Sequence, residues 1–149
     1  MAVTLEFTES QYFGCGELDF SLVRAFEAKK RLTLPKSYVE LLRIRNGGSP
    51  RLPFYHTPFS TSWDDAGFEI KAIQGIGCEW GIDSVSLGSD AMIAEWGYPE
   101  IGIVVCVMPS GGHDAVMLDY RSQGEPSVVY VDEDREPRRV ALNFEEFVA

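Results

Sequence analysis

Ser110, His113 and Asp114 stand together in "PSGGHD", the three residue types of a nucleophile, a general base and its orienting carboxylate. A relay through the imidazole needs side chains converging from separate elements. No G-x-S-x-G accompanies these three, and all of them fall in one predicted hairpin turn, where Gly111 and Gly112 supply positive φ angles. The sequence therefore reads as a turn rather than a hydrolase site. Metal ligation has as little support, because His56, His113, Cys15, Cys78 and Cys106 include no pair at metal-site spacing. "DSVSLGSDA" and "VDEDREP" lack the alternating oxygen ligands and closing glutamate of an EF-hand loop. Nucleotide-binding glycine motifs are missing too, and paired carboxylates occur too often in an acidic chain to single out glycoside chemistry. The sequence predicts no catalytic set, no metal and no cofactor.

A different chemistry is written into residues 54–100. Phe54, Tyr55, Phe59, Trp63, Phe68, Trp80, Trp96 and Tyr98 are threaded there among most of the acidic residues of the middle of the chain. "HTPFSTSWDDAGF" has no clear period and reads as a loop presenting Trp63 beside Asp64 and Asp65. An aromatic anchor next to paired carboxylates suits a protein interface, in which the ring supplies affinity and the charge selects the partner. Trp63, Asp64, Asp65, Glu69, Glu79, Trp80 and Asp83 are the predicted partner-binding residues.

The elements that must position them divide by periodicity. Leu18, Leu22 and Phe26 recur at helical spacing, with Val23 and Ala25 alongside, and predict a helix over about 18–30. Tyr38, Leu41 and Leu42 form a matching stripe in "LPKSYVELLRIRNGG", with Pro35 placed at the first turn and Asn46, Gly47 and Gly48 able to supply a left-handed cap. A glycine pair can cradle a phosphate at the start of a helix, whereas these glycines follow one, so the stretch reads as scaffold.

Beyond Gly48 the period becomes two. Strands are predicted at 51–56, 68–74, 101–107, 115–120, 127–131 and 138–142, several of them separated by short turn-forming segments that favour antiparallel pairing. In the second strand Phe68, Ile70 and Ala72 share one face, and Glu69 and Lys71 the other. Short helices are predicted at 89–97, with Ser89 as N-cap, and at 143–147, with Asn143 and Glu146 in capping-box spacing. Helices followed by hairpin-linked strands define an α+β domain, here a single one over 1–149 with a mixed, mainly antiparallel sheet of about five to six strands beside an N-terminal helix pair.

Composition fits this plan and narrows the partners. The chain has 149 residues, 45% hydrophobic and 24% charged, enough to bury about 70% of its unfolded surface. No stretch approaches the ~20 apolar residues that span a bilayer, and residues 1–20 lack the pattern of a signal peptide, so a cytoplasmic location is expected. Three cysteines without C-x-x-C spacing predict free, mostly buried thiols. The net charge of −10 is unevenly placed. Residues 61–120 carry one basic side chain, Lys71, against ten acidic ones, while residues 1–60 carry eight Lys/Arg against six Asp/Glu. Such a field disfavours nucleic acid and anionic membrane and attracts a basic protein.

"FEAKKRLTLPKSYVELLRIRNGG" resembles the N-terminal signature of the SUKH superfamily, the Smi/Knr-like domains, through Phe26, Glu27, Leu34, Pro35, Tyr38, Leu41, Leu42, Asn46, Gly47 and Gly48. "EWGYPEIGIVVCV", "GGHDAVMLDY" and "EPSVVYVDEDREPRRVALNFEEFV" are similar to later family segments and occur in the same order. The resemblance runs from about residue 17 to the end and implies an α+β fold without a shared catalytic set. It further implies an immunity protein that binds and neutralises a toxin, often a nuclease. The alternatives are a cytoplasmic regulator or adaptor related to cell-wall synthesis control, or a small-ligand-binding protein, which would need a deep pocket with converging polar groups. Residues 1–16 and 56–90 depart from the signature, and variable surface is where a partner-specific binder carries its specificity.

Overall fold

The computed structural model describes residues 5–149. The first helix, α1 (Phe20–Lys30), starts where the Asp19 side chain accepts the Ser21 N–H and stops at Arg31, which takes a left-handed φ of 56°. Its inward face is Val23 and Phe26, with Leu18 buried just ahead of it. Leu22 is 36% exposed and leaves the predicted stripe, because the burial follows an i, i+3 pair on an 11-residue helix.

The second helix, α2 (Lys36–Ile44), buries Tyr38, Leu41 and Leu42 as their spacing predicts. Pro35 is its N-cap, one position before the predicted place, and the helix stops at an extended Arg45. Asn46–Gly48 therefore do not form a left-handed cap. Gly47 does take a positive φ of 94°, but for packing: a Cβ there would stand 2.9 Å from the Gly75 nitrogen and 2.8 Å from the Phe13 carbonyl. Asn46 supplies the reason for that approach. Its buried side chain accepts from the Ile76 N–H and donates to the Ile76 carbonyl, both at 2.9 Å, and so fastens the end of α2 to residues 74–76.

The strands are β1 (Phe54–His56), β2 (Gly67–Glu69), β3 (Ala72–Ile73), β4 (Gly102–Val104), β5 (Cys106–Val107), β6 (Ala115–Asp119), β7 (Ser127–Val131) and β8 (Pro137–Ala141). All their pairings are antiparallel, in ladders β1-β2, β3-β5 and β4-β6-β7-β8. Residues 102–107 join two of the ladders, since β4 pairs with β6 and β5 turns to β3. Among the described residues two more helices follow, α3 (Ser89–Trp96) before β4 and α4 (Phe144–Phe147) after β8. Asn143 caps α4 by accepting from the Glu146 N–H, while the Glu146 carboxylate accepts from Leu142, one residue ahead of the capping-box position.

Alternation along β6 and β7 sends side chains to two cores. Val116, Leu118, Val128 and Tyr130 join α1, α2 and α4 on one side, where Tyr38 meets the Phe144 ring edge-on at 5.1 Å. Ala115, Met117, Val129 and Val131 pack with Met92 of α3 and Tyr98 on the other. A central sheet covered on both faces explains why these strands are apolar throughout rather than alternating. The sequence-predicted α+β plan is the observed one.

The cysteines differ from expectation. Cys15 and Cys78 form a disulfide with Cα atoms 5.1 Å apart, and Cys106 alone remains a free, buried thiol. The two partners are 63 residues apart and are brought together by the Asn46 junction, as the Cys15 N–H donates to the Asn46 carbonyl. Tertiary proximity of this kind leaves no mark in the spacing of the cysteines. No helix among the described residues is long and apolar enough to cross a membrane.

Candidate functional site

The loop between β1 and β2 is held by its small polar residues, which frees the large ones. Thr61 Oγ1 donates to the Gly67 carbonyl at 2.6 Å and accepts from the Trp63 and Asp64 N–H groups. Thr57 donates to the Phe59 carbonyl, and Asp64 accepts from the Ala66 N–H. One long-range bond sets the loop on the sheet: the Ser62 N–H donates to Asp132 at 2.8 Å, at the end of β7. Trp63 consequently projects, half exposed, with its ring edge-on to that of His113 at 6.0 Å. Asp64 and Asp65 are exposed in the loop, and Glu69 is exposed on the outward face of β2.

Opposite Trp63 lies the turn between β5 and β6. Gly111 and Gly112 take positive φ angles there, as predicted, and Gly112 must be glycine because a Cβ would come within 2.6 Å of the Trp96 ring. Asp114 is buried, its carboxylate accepting from Ser110 Oγ at 2.5 Å and from the Tyr130 hydroxyl at 2.6 Å. Burial raises its pKa above the usual carboxylate value against the opposing pull of those two bonds. His113 faces Glu133 at 3.2 Å, and only its backbone N–H reaches Ser110. Ser110 and Asp114 thus touch directly, with no imidazole between them, which is not the order of a nucleophilic relay.

Arg135 closes this region from below. It stands at a left-handed φ of 61°, and its guanidinium donates to the carbonyls of Trp96, Gly112, His113 and Asp132 while lying 4.6 Å from the centre of the Tyr98 ring. One cation ties the end of α3 to both neighbouring turns.

Two recesses flank the turn. The first, about 160 Å³, lies between Trp63, Glu69, Pro109, Ser110 and Asp114. The second, about 240 Å³, has Trp80, Trp96, Met92 and Met108 among its walls and Asp114 at its margin. Polar groups do not converge in the second recess, where Asp114 is the one charged side chain in the lining. A small-ligand site of the kind considered from sequence would need such convergence.

The predicted partner-binding residues separate into two sets. Trp63, Asp64, Asp65 and Glu69 belong to the β1–β2 hairpin and its loop. Glu79, Trp80 and Asp83 belong to the segment after the disulfide, where Trp80 packs on Phe13 at 4.8 Å and Asp83 accepts from the Gly77 N–H. Trp80 lines the second recess with Gly111 and Gly112 while Trp63 lines the first with Pro109 and Ser110, whereas Asp83 lines a groove shared with Leu22 and Lys29 of α1. Sequence reasoning missed Asp114, Asp132 and Arg135 as parts of this region. "GGHDAV" and "VDEDREP" read as polar turns, and only long-range bonds reveal that these three are its supports.

Among the described residues, no group of three or more His, Cys, Asp or Glu side chains stands where it could hold a metal ion. No curated protein sequence matches the chain. The model of the SMI1 / KNR4 family (SUKH-1) matches residues 18–149, from the residue before the α1 cap to the last one, taking in both cores and the whole of the Trp63 region. The chain belongs to the SMI1 / KNR4 family (SUKH-1).

Proposed function

We propose that this protein is a non-enzymatic binder, an immunity protein that captures and neutralises a basic toxin domain, with a nuclease as the best-fitting class. The observation that carries this reading is the Trp63 loop. Its framework is made by Thr61, Ser62, Asp64 and Asp132, so the indole is left half exposed and the Asp65 and Glu69 carboxylates are left without an ion pair among the described residues. A nuclease is basic where it grips phosphate, and an acidic surface seated there blocks substrate by charge and shape together. Family membership supports a protein-binding role, and the cytoplasm is the proposed location, a reducing compartment in which Cys15 and Cys78 would be held as an adjacent thiol pair.

The test is capture by tagged protein from lysate of the source cells, with washes at low and then high salt and the captured chains identified by mass. A basic toxin domain, released at high salt and inhibited by one equivalent of this protein, is the expected result. D64K/D65K should inhibit that toxin at least ten-fold less well while remaining folded. Recovery of an endogenous envelope or metabolic protein instead would replace toxin neutralisation with a regulatory role.

A further inference from the structure

The recess between Trp63 and Glu69 carries a more specific reading, one that rests on the binding role proposed above. Its volume of about 160 Å³ is well below the ≈ 300 Å³ at which small-molecule sites begin, and it matches a single inserted side chain. Its walls select the type. Trp63 offers an indole face, half exposed, whose N–H has no hydrogen-bond partner in the described fold. Glu69 offers a carboxylate with no ion pair among the described residues, and Asp114 places a second carboxylate in the recess wall, bonded only to the neutral hydroxyls of Ser110 and Tyr130.

The neighbouring charges leave this negative potential standing. His113 is paired with Glu133, Asp132 adds a further buried carboxylate, and the two nearby cations stand outside the recess wall: Arg135 is directed to four backbone carbonyls, and Lys71, exposed two residues from Glu69, makes no ion pair with it. An anion would meet two carboxylates here, and an apolar side chain would leave them uncompensated. A guanidinium is planar, stacks on indole and donates to carboxylates in a fork, which a lysine ammonium cannot do.

We infer that this recess is the anchor point for one arginine side chain of the protein partner, stacked on Trp63 and paired with Glu69, with Ser110 and Asp114 forming its inner wall. Asp64 and Asp65, in the adjoining loop, supply the surrounding field that draws a basic surface in, while the recess fixes its register.

The experiment uses the full chain and N-acetyl-arginine methylamide as probe, followed by the chemical shift of the Trp63 indole N–H, assigned by its loss in W63F. The expected result is a saturable shift in the millimolar range, weakened at least five-fold in E69Q and not produced by the isosteric, uncharged citrulline amide. Glu69 lies on an exposed strand face, so E69Q keeps the fold that the readout needs. Absence of a saturable shift, equal binding of the citrulline amide, or an unchanged affinity in E69Q overturns the assignment. The two proposals fail separately. A captured basic toxin that binds E69Q and W63F as tightly as the parent removes the recess and leaves neutralisation standing, whereas probe binding without any basic partner removes neutralisation and leaves the arginine site.

Discussion

The junction around residues 46–48 and the loop around residues 61–65 are both irregular segments next to a strand, and they use their polar side chains in opposite ways. At the junction, Asn46 is buried and turned wholly inward on Ile76, and Gly47 is shaped to let two backbones meet. In the loop, Thr61 and the Ser62 backbone perform the inward work, leaving Trp63, Asp64 and Asp65 outside. The difference teaches how one fold separates parts that hold it together from parts that are free to recognise. Density of charge or aromatic residues does not mark the second kind. What marks it is that the local backbone is already satisfied, by Thr61, Asp132 and one oxygen of Asp64, with Trp63 and Asp65 left over.

The largest effect that would break the comparison is removal of the bridge beside the junction. Closing a 63-residue loop is worth about 4 kcal/mol in the denatured-state account, so C15S/C78S should lower the non-reducing urea stability by about 2–4 kcal/mol. A loss below about 1 kcal/mol would mean that the Asn46 junction holds the N-terminal segment without it. Asn46→Ala should cost about 2–3 kcal/mol, because it strands a buried N–H and carbonyl of Ile76, and thermal or urea unfolding reads this directly.

Asp114 sharpens the comparison through pH. Burial lifts its folded pKa above the ordinary 3.8, so the folded state holds its proton longer than the unfolded one. Its contribution is therefore intact below pH 3.8 and is lost as pH rises through the raised folded value. Subtracting the pH profile of D114N from that of the parent should expose this falling limb, and a rising difference would reverse the assignment. The smallest stability effect is expected in the loop itself, where D64K/D65K should move unfolding by no more than about 1 kcal/mol, nearly all of it from the lost Asp64 bond to the Ala66 N–H, while abolishing most partner capture. A large loss of stability would place these carboxylates with the junction rather than the binding surface.

Much of the framework was legible in the sequence for a physical reason: period and turn chemistry are local. "SVVYV" is β7 over its predicted bounds, Gly97 ends α3 in a left-handed conformation, and Asn143 caps α4. The inward set Phe68, Ile70 and Ala72 is fully or almost fully buried, as alternation with Glu69 and Lys71 requires. Features made by distant segments were not legible. Leu22 and Val23 are equally apolar, and only the position of the sheet decides that Val23 turns inward. The pairing of Cys15 with Cys78, the grip of Asn46 on Ile76 and the burial of Asp114 arise from chain crossings that no spacing records. The loop at 61–65 is visible in its lack of period, yet the recess beneath it belongs to residues 109–114 as much as to Trp63 and Glu69.

Arg135 has a consequence for how such a protein can change over evolutionary time. All four of its acceptors are main-chain carbonyls, which every amino acid carries. The cross-brace beneath the proposed binding surface is thus indifferent to side-chain identity at His113 and at most other positions it joins, with Gly112 held fixed by Trp96. Substitutions that redraw the charge or shape of the surface leave the brace intact. If the proposed binding role holds, the protein can revise what it displays to its partner without rebuilding what holds the display in place.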